Sequence, residues 1–354
     1  MYGCPPPRIP SWKSNSNCCS CPHPKISSWK SNSNCCSWDG IECDEETHHV
    51  IGLDLSSSCL YGSINSNNTI FRLVHLESLN LADNCFSSSQ IPPTIRNFPK
   101  LRYLNLSSSG FSGQVPSEIL QLTKLSSLDL SPSIDDMFLN EELLRSLAQN
   151  LTGLETLVIS YINISSTVPN TLANLSHLTS LVLNSCALFG KLPFSLGNLR
   201  RLIYLDLSAN NFNGQISSSF ANLTQLTYLS LGENHINGTI PCFFGNLTQV
   251  ATLGLSSNQL SGPIPSSLGN LGKLTVLDLR FNKFQREIPE SLFNVASLNR
   301  LFLAHNNLSG TVEFLKLLKL PNLKRVDLSG SNLDVITETR TMNASSIPRL
   351  EHLG

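Results

Sequence analysis

LIYLDLSANNFNGQISSSFANLTQ, residues 202–225, places Leu202, Leu205 and Leu207 in the order Leu-x-x-Leu-x-Leu and follows them with Asn210. Tyr204, Asp206 and Ser208 alternate with Leu205 and Leu207, and period-two alternation reads as a short strand with its leucines inside. The pattern restarts at Leu76, Leu101, Leu125, Leu154, Leu178, Leu202, Leu226, Val250, Leu274, Leu298, Leu323 and Leu350, with a degenerate copy at Val50. From Leu154 to Leu298 the step is always 24 residues. A short fixed period means one supersecondary unit stacked on itself, because a single unit cannot bury its own apolar face.

This predicts an α/β repeat, a leucine-rich repeat solenoid with a parallel β-sheet on the concave face. Each buried leucine contributes roughly 1.5–3 kcal/mol, so about a dozen repeats support an extended core. Asn210 and its equivalents Asn84, Asn234, Asn258, Asn282 and Asn306 fall where the chain must turn away from the sheet. An amide there bonds the backbone of adjacent turns, whose peptide groups would cost about 1–3 kcal/mol each if left unpaired. Ser109, Cys186 and Ser331 occupy the same position and also carry hydrogen-bonding groups, whereas Ile162 does not, which predicts a less regular turn there. Downstream come GQVP at 113–116, GKLP at 190–193, GTIP at 238–241 and GPIP at 262–265. Proline excludes a long helix at that point, so the convex segments are expected to be short turns or one-turn helices. The repeat at 125–153 is longer, and Leu139, Leu143, Leu144 and Leu147 mark one face of a helix expected within residues 135–150.

The repeat divides the 354 residues into a cysteine-rich N-terminal cap, 1–49, and about 12 repeats over 50–354, the last one cut short. The cap begins with a tandem duplication: CPPPRIPSWKSNSNCCS, 4–20, is followed by CPHPKISSWKSNSNCCS, 21–37. Seven of the 11 cysteines lie in the first 43 residues, the usage of an oxidising compartment. Cys36 with Cys43 is the expected bridge; Cys35 is then left for Cys21 or Cys4, and Cys18 and Cys19 are surplus. Asn-x-Ser/Thr sequons at Asn67, Asn105, Asn150, Asn163, Asn174, Asn222, Asn237, Asn246, Asn307 and Asn343 also point outside the cell. Asn105 sits between Leu104 and Leu106, where a glycan would cover the concave face. A formal net charge of −1 argues against a nucleic-acid partner. No stretch is apolar enough to span a membrane, and the start does not read as a secretory signal. With LEHLG at the end, three residues into a new repeat, the chain reads as a piece of a longer polypeptide.

The Gly-x-Ile-Pro repeat resembles the plant-specific extracellular class, and NSNCCSWDGIECD resembles the cap of plant receptor-like proteins of the Cf disease-resistance type. LDLSSSCLYGSI at 53–64, LNLADNCF at 79–86 and the run 149–186 carry the resemblance further. It implies a ligand-recognition ectodomain on the outer face of the plasma membrane, with a protein or peptide ligand, a co-receptor kinase as signalling partner, no cofactor and no enzymatic activity. A secreted inhibitor resembling polygalacturonase-inhibiting proteins and the ectodomain of a receptor kinase are the alternatives.

Equivalent outward positions form columns up the sheet, with strands about 4.8 Å apart. The first runs Tyr204, Tyr228, Thr252, Val276, Arg300, Arg325; the second Asp206, Ser230, Gly254, Asp278, Phe302, Asp327; the third Ala209, Glu233, Ser257, Phe281, His305, Gly330. Arg280, Phe281, Arg300, Phe302, His305 and Arg325 thereby converge, with Tyr204, Tyr228, Glu233 and Asp278 as further ligand-binding candidates, and exposed aromatics beside arginine suit a protein or peptide interface. Asp44, Glu45, Glu46, His48 and His49 are consecutive in a cap loop without ligand-like spacing and read as a polar turn, so no metal is expected. There is no phosphate loop, kinase signature or nucleophile elbow, and no catalytic residue is assigned.

Overall fold

A computed structural model describes residues 13–14, 25–29, 33–86, 89–132, 136–337 and 350–354. The chain forms two compact units, Met1–Leu178 and Thr179–Gly354. In the first, Ile41–Cys43 pairs antiparallel with Val50–Asp54, and the strands Ser78–Asn80, Tyr103–Asn105, Ser127–Asp129 and Thr156–Val158 follow in parallel. In the second, Ser180–Val182, Tyr204–Asp206, Tyr228–Ser230, Thr252–Gly254, Val276–Asp278, Arg300–Phe302, Arg325–Asp327 and His352–Leu353 form a parallel array. Each strand buries its central residue, as in Leu205, Leu229, Leu253 and Leu277. This is a leucine-rich repeat solenoid with a cysteine-containing cap.

The asparagines do what their position demands. Asn258 donates through Nδ2 to the carbonyls of Leu231 at 2.9 Å, Leu255 at 3.3 Å and Ser256 at 3.2 Å, and its Oδ1 accepts from the Ile236 amide at 2.9 Å. Asn234 one coil before and Asn282 and Asn306 one and two coils after repeat this set, and Asn210 accepts from both Cys186 and Leu188. Asn84 does the same in the first unit, joining the Leu55 carbonyl to the Leu60 amide. Ser109 reaches the Leu81 and Ser107 carbonyls instead. The turn at Ile162 is less regular: Tyr161 keeps the left-handed φ of 59° found before the asparagines, but Ser165 is left-handed as well at 46°, the segment pairs through the single bridge of Asn163 with Phe138, and the buried Ile162 side chain brings no polar bonds.

Most convex segments are single 3₁₀ turns entered through proline in extended conformation, Pro241 before Cys242–Asn246 and Pro265 before Ser266–Asn270 among them, while Ser217 and Asn68 cap two others and Phe314–Leu318 is a short α-helix. They pack so closely that a Cβ on Gly245 would lie 2.4 Å from the Ser267 carbonyl oxygen. The long repeat carries its helix at Glu141–Asn150, starting later than residue 135 because Asn140 caps it by accepting from the Leu143 amide at 2.8 Å. Leu143, Leu144 and Leu147 are buried on it.

A second set of parallel strands in the second unit had no counterpart in the sequence reading: Phe189–Lys191, Asn211–Gly214, His235–Gly238, Gln259–Gly262, Lys283–Arg286, Asn307–Glu313 and Asn332–Ile336. Phe212, Ile236, Leu260, Phe284 and Leu308 are buried between exposed neighbours, an alternation too short to stand out beside the glycine and proline that follow it. Arg286 takes the place of the repeat glycine here and holds φ 70°.

In the cap, Cys36 and Cys43 form the expected disulfide, and Cys35 and Cys59 are each disulfide-bonded as well. Cys4, Cys18, Cys19 and Cys21 lie outside the described residues, as does most of the duplicated 17-mer. Trp38 is buried and stacks on Trp29 at 5.1 Å between centroids, while Lys25 ties the cap to Asp54 at 2.7 Å. The His49 and His75 rings meet at 4.0 Å, and Lys100 follows on the next coil.

Replacing Asn258 by Ala is expected to strand buried backbone groups and to lower unfolding free energy by about 1–3 kcal/mol for each one left unpaired, measurable by chemical denaturation. The His75 imidazole is held below its ordinary pKa by burial first, then by His49 and Lys100, so the folded state disfavours its protonation. Such a depressed pKa stabilises above the unfolded value of about 6.5, and the contribution falls away as pH drops from there through the folded pKa. Melting temperature should therefore decline between pH 7.5 and 5, and less steeply in His75→Gln.

Candidate ligand-binding face

The register of the second unit reproduces the anticipated columns. Tyr204 lies beside Tyr228, Val276 beside Arg300 and Arg300 beside Arg325; Asp278 lies beside Phe302 and Phe302 beside Asp327. The third column has a feature of its own: Ala209, Glu233, Ser257, Phe281 and His305 all hold φ between 52° and 56°, a left-handed conformation that non-glycine residues adopt at a cost of about 1–2 kcal/mol. Backbone bonds to the next coil hold it, Phe281 donating to the Ala304 carbonyl and His305 to that of Ser329. Gly330 closes the column, where a Cβ would meet the His305 ring at 2.5 Å.

The candidates separate into two clusters. Tyr204 and Tyr228 stack in parallel at 4.1 Å, both half-buried. Burial raises the Tyr204 hydroxyl pKa, and the contact with Tyr228 and the charge of Asp206 add to it, so it stays protonated as a hydrogen-bonding group. Two strands further on, Arg280 grips Asp278 through Nε at 2.9 Å and Nη2 at 2.7 Å and lies over the Phe302 ring, 4.6 Å from its centroid. The bond to Asp278 raises the Arg280 pKa despite partial burial. Next to it Phe281, 51% exposed, stacks on His305 at 4.5 Å. The strand between the clusters presents Thr252, Gly254 and Ser257, with little to contact a ligand. Glu233 is exposed near the tyrosine cluster.

The Asp278–Arg280 grip went unread although the two residues sit two apart on one face, a spacing visible in the sequence. Other carboxylates of the second column serve the backbone: Asp206 accepts from Ser208 and Asp327 from Ser329, closing each strand end. Arg300 and Arg325 are exposed, and Arg325 Nε stands 3.6 Å from Glu351, which immediately precedes the last described strand.

The sequon asparagines Asn67, Asn150, Asn163, Asn174, Asn222, Asn237, Asn246 and Asn307 are exposed, and Asn343 lies outside the described residues. Asn105 is half-buried, its amide engaged with the Tyr103 hydroxyl and the Ser107 amide. In the cap loop Asp44 accepts from the Thr47 amide and hydroxyl, each at 2.7 Å, while His49 turns to His75. Cys35, Cys36 and Cys43 sulfurs lie within 4.8 Å of one another but are oxidised in disulfides. Among the described residues no helix is long and apolar enough to cross a membrane.

Comparison with known proteins agrees with this geometry. The leucine-rich repeat region model matches residues 169–354, the leucine-rich repeat N-terminal domain matches 4–20 and 21–44, and single repeats match 75–98 and 100–122. The chain belongs to the plant leucine-rich repeat receptor-like proteins. Receptor-like protein 7 of Arabidopsis thaliana is 43% identical over 166 residues, 45% of this chain and 15% of its own. The receptor-like protein Cf-9 homolog of Solanum lycopersicum is 33% identical over 164 residues, 46% of this chain and 17% of its own. The chain thus matches only a small part of the length of these relatives. Among solved structures, the Arabidopsis receptor kinase HAESA, in complex with the peptide hormone IDA and the co-receptor SERK1, is similar over 88% of this chain and 63% of its own, with TM-score 0.66 and 28% identity. The PEPR1–AtPEP1 structure is similar over 87% of this chain and 49% of its own, with TM-score 0.61 and 28% identity. The matched segments of this receptor-like protein are repeats and cap, with no enzymatic family among them.

Truncating Arg280 to Ala leaves the Asp278 carboxylate, 17% exposed, without its partner. After allowance for solvent screening this should cost roughly 1 kcal/mol, seen as a lowered denaturation midpoint with an unchanged circular dichroism spectrum.

Proposed function

We propose that this chain is a ligand-recognition portion of the extracellular domain of a plant cell-surface receptor-like protein, taking a protein or peptide on the concave face of its second unit. The observation that carries this reading is the cluster of Arg280, Phe281, Phe302 and His305, in which aromatic faces stand exposed on a framework that spends left-handed strain to hold them. Rigid aromatics with arginine are the residues that dominate binding energy at protein interfaces. Peptide ligands in the HAESA and PEPR1 structures support a peptide over a small molecule. Without an enzymatic segment in the matched regions, a signal would pass through partner kinases, and the resemblance of NSNCCSWDGIECD to the cap of the Cf disease-resistance type favours an immune role over a developmental one.

The test is retention of peptides from plant extracellular fluid on the immobilised chain, compared with a Phe281→Ala/Phe302→Ala variant of equal melting temperature. A peptide held by the first and at least about tenfold weaker on the second is expected. Peptides retained equally by both would remove the concave cluster as the binding site. If the retained peptide also draws a membrane kinase into the complex, the signalling reading stands; if it does not, that reading falls.

A further inference from the structure

Resting on the concave-face reading, the geometry points to a carboxylate-binding subsite at Arg300, so that the ligand is an acidic peptide with an apolar residue a few positions from its charge. Arg300 borders an open recess of about 560 Å³ lined by Thr275, Val276, Ser297, Asn299 and Asn322. The polar walls are satisfied from within. Thr275 Oγ1 donates to the Ala251 carbonyl at 2.9 Å, Ser297 Oγ to Leu274 at 2.8 Å, Asn299 Nδ2 to Asn322 at 2.9 Å and Asn322 Nδ2 to Ala296 at 2.9 Å. The guanidinium of Arg300 is different: among the described residues it has no ion-pair partner.

The neighbouring charges explain why. Asp278, one strand away, is taken by Arg280 through two bonds. Glu351 stands on the other side, 3.6 Å from both Lys324 and Arg325, so one carboxylate already serves two cations. Arg300 is in direct register with Arg325, and like charges opposite each other on adjacent strands are unfavourable. An incoming anion relieves that repulsion and uses the five donors of Arg300. A planar carboxylate matches the guanidinium fork in a bidentate pair. Phosphate does not suit the recess, because the hydroxyl and amide donors around it are spent on backbone carbonyls.

The sheet bounds the spacing. Phe281 and His305 follow Val276 and Arg300 by five positions, but the strands end at Asp278 and Phe302 and both rings sit on left-handed residues, so the roughly 16 Å of five extended residues at about 3.3 Å each is the most that can separate them. An extended ligand covers that span in at most about five residues. The subsite therefore selects a peptide in which a carboxylate lies within about five residues of an aromatic or large aliphatic side chain. An acidic side chain and a free C-terminus both supply the group.

The experiment uses the full chain and fluorescent peptides about nine residues long, each with one Phe and one Asp, the separation varied and the C-terminus free or amidated, read by anisotropy. Expected is an affinity maximum at a separation of five or fewer, weakened roughly tenfold or more in Arg300→Ala, partly restored in Arg300→Lys, and falling with salt. Loss on changing Asp to Asn assigns the side chain, and loss on amidation assigns the terminus; indifference to both overturns the subsite. Binding that fails in Phe281→Ala but not in Arg300→Ala overturns the carboxylate assignment while leaving the concave face intact. If no peptide binds in a manner sensitive to either substitution, both readings fall.

Discussion

Everything in this molecule depends on one side-chain amide bonding the backbone of the coil before it. Asn258 bridges carbonyls on two coils and an amide on the earlier one, and Asn234, Asn282 and Asn306 do likewise around it. A coil of 24 residues has too little apolar surface to fold alone, and its turn leaves peptide groups that water cannot reach. The amide satisfies these groups and sets the spacing of successive turns, so leucines from neighbouring coils meet. Hydrophobic burial supplies most of the stability, but the asparagines specify the geometry that makes the burial possible.

The same constraint shapes the binding face. To bring each asparagine inward, the residue before it takes a left-handed conformation, as at Glu233, Phe281 and His305. That residue is thereby held at the end of the strand on the concave side, which is how Phe281 stays 51% exposed yet stacked on His305. Side chains that would be loose on an ordinary loop are arranged here by the turn beneath them. The concave face is a by-product of the ladder, and its chemistry varies freely because the inward positions carry the stability. Carboxylates of the second column show the division of labour: Asp206 and Asp327 close strand ends, whereas Asp278 also neutralises Arg280.

Much of this was legible in the residues. Strand positions, the inward leucines, the asparagine ladder and most proline-led convex turns follow from local chemistry that recurs at a fixed period, and the Cys36–Cys43 bridge from the cysteine spacing of the cap. The second row of strands was not legible, because Asn211–Gly214, His235–Gly238, Gln259–Gly262 and Lys283–Arg286 offer a single buried residue each and pair only when coils are stacked. The irregular turn at Ile162 was legible from its missing polar group, although neighbouring coils still impose the left-handed residue at Tyr161.

For the candidate site, the columns were readable because register in a parallel repeat is set by the period itself. The sequence by itself determined which side chains share a face, since alternation and a 24-residue step leave no other arrangement for the leucines. Only the tertiary structure decided which of those side chains are already spent. Asp278 claims Arg280, Glu351 stands toward Arg325, and Arg300 is left beside an open recess, because charge pairing depends on distances across strands that no spacing along the chain encodes.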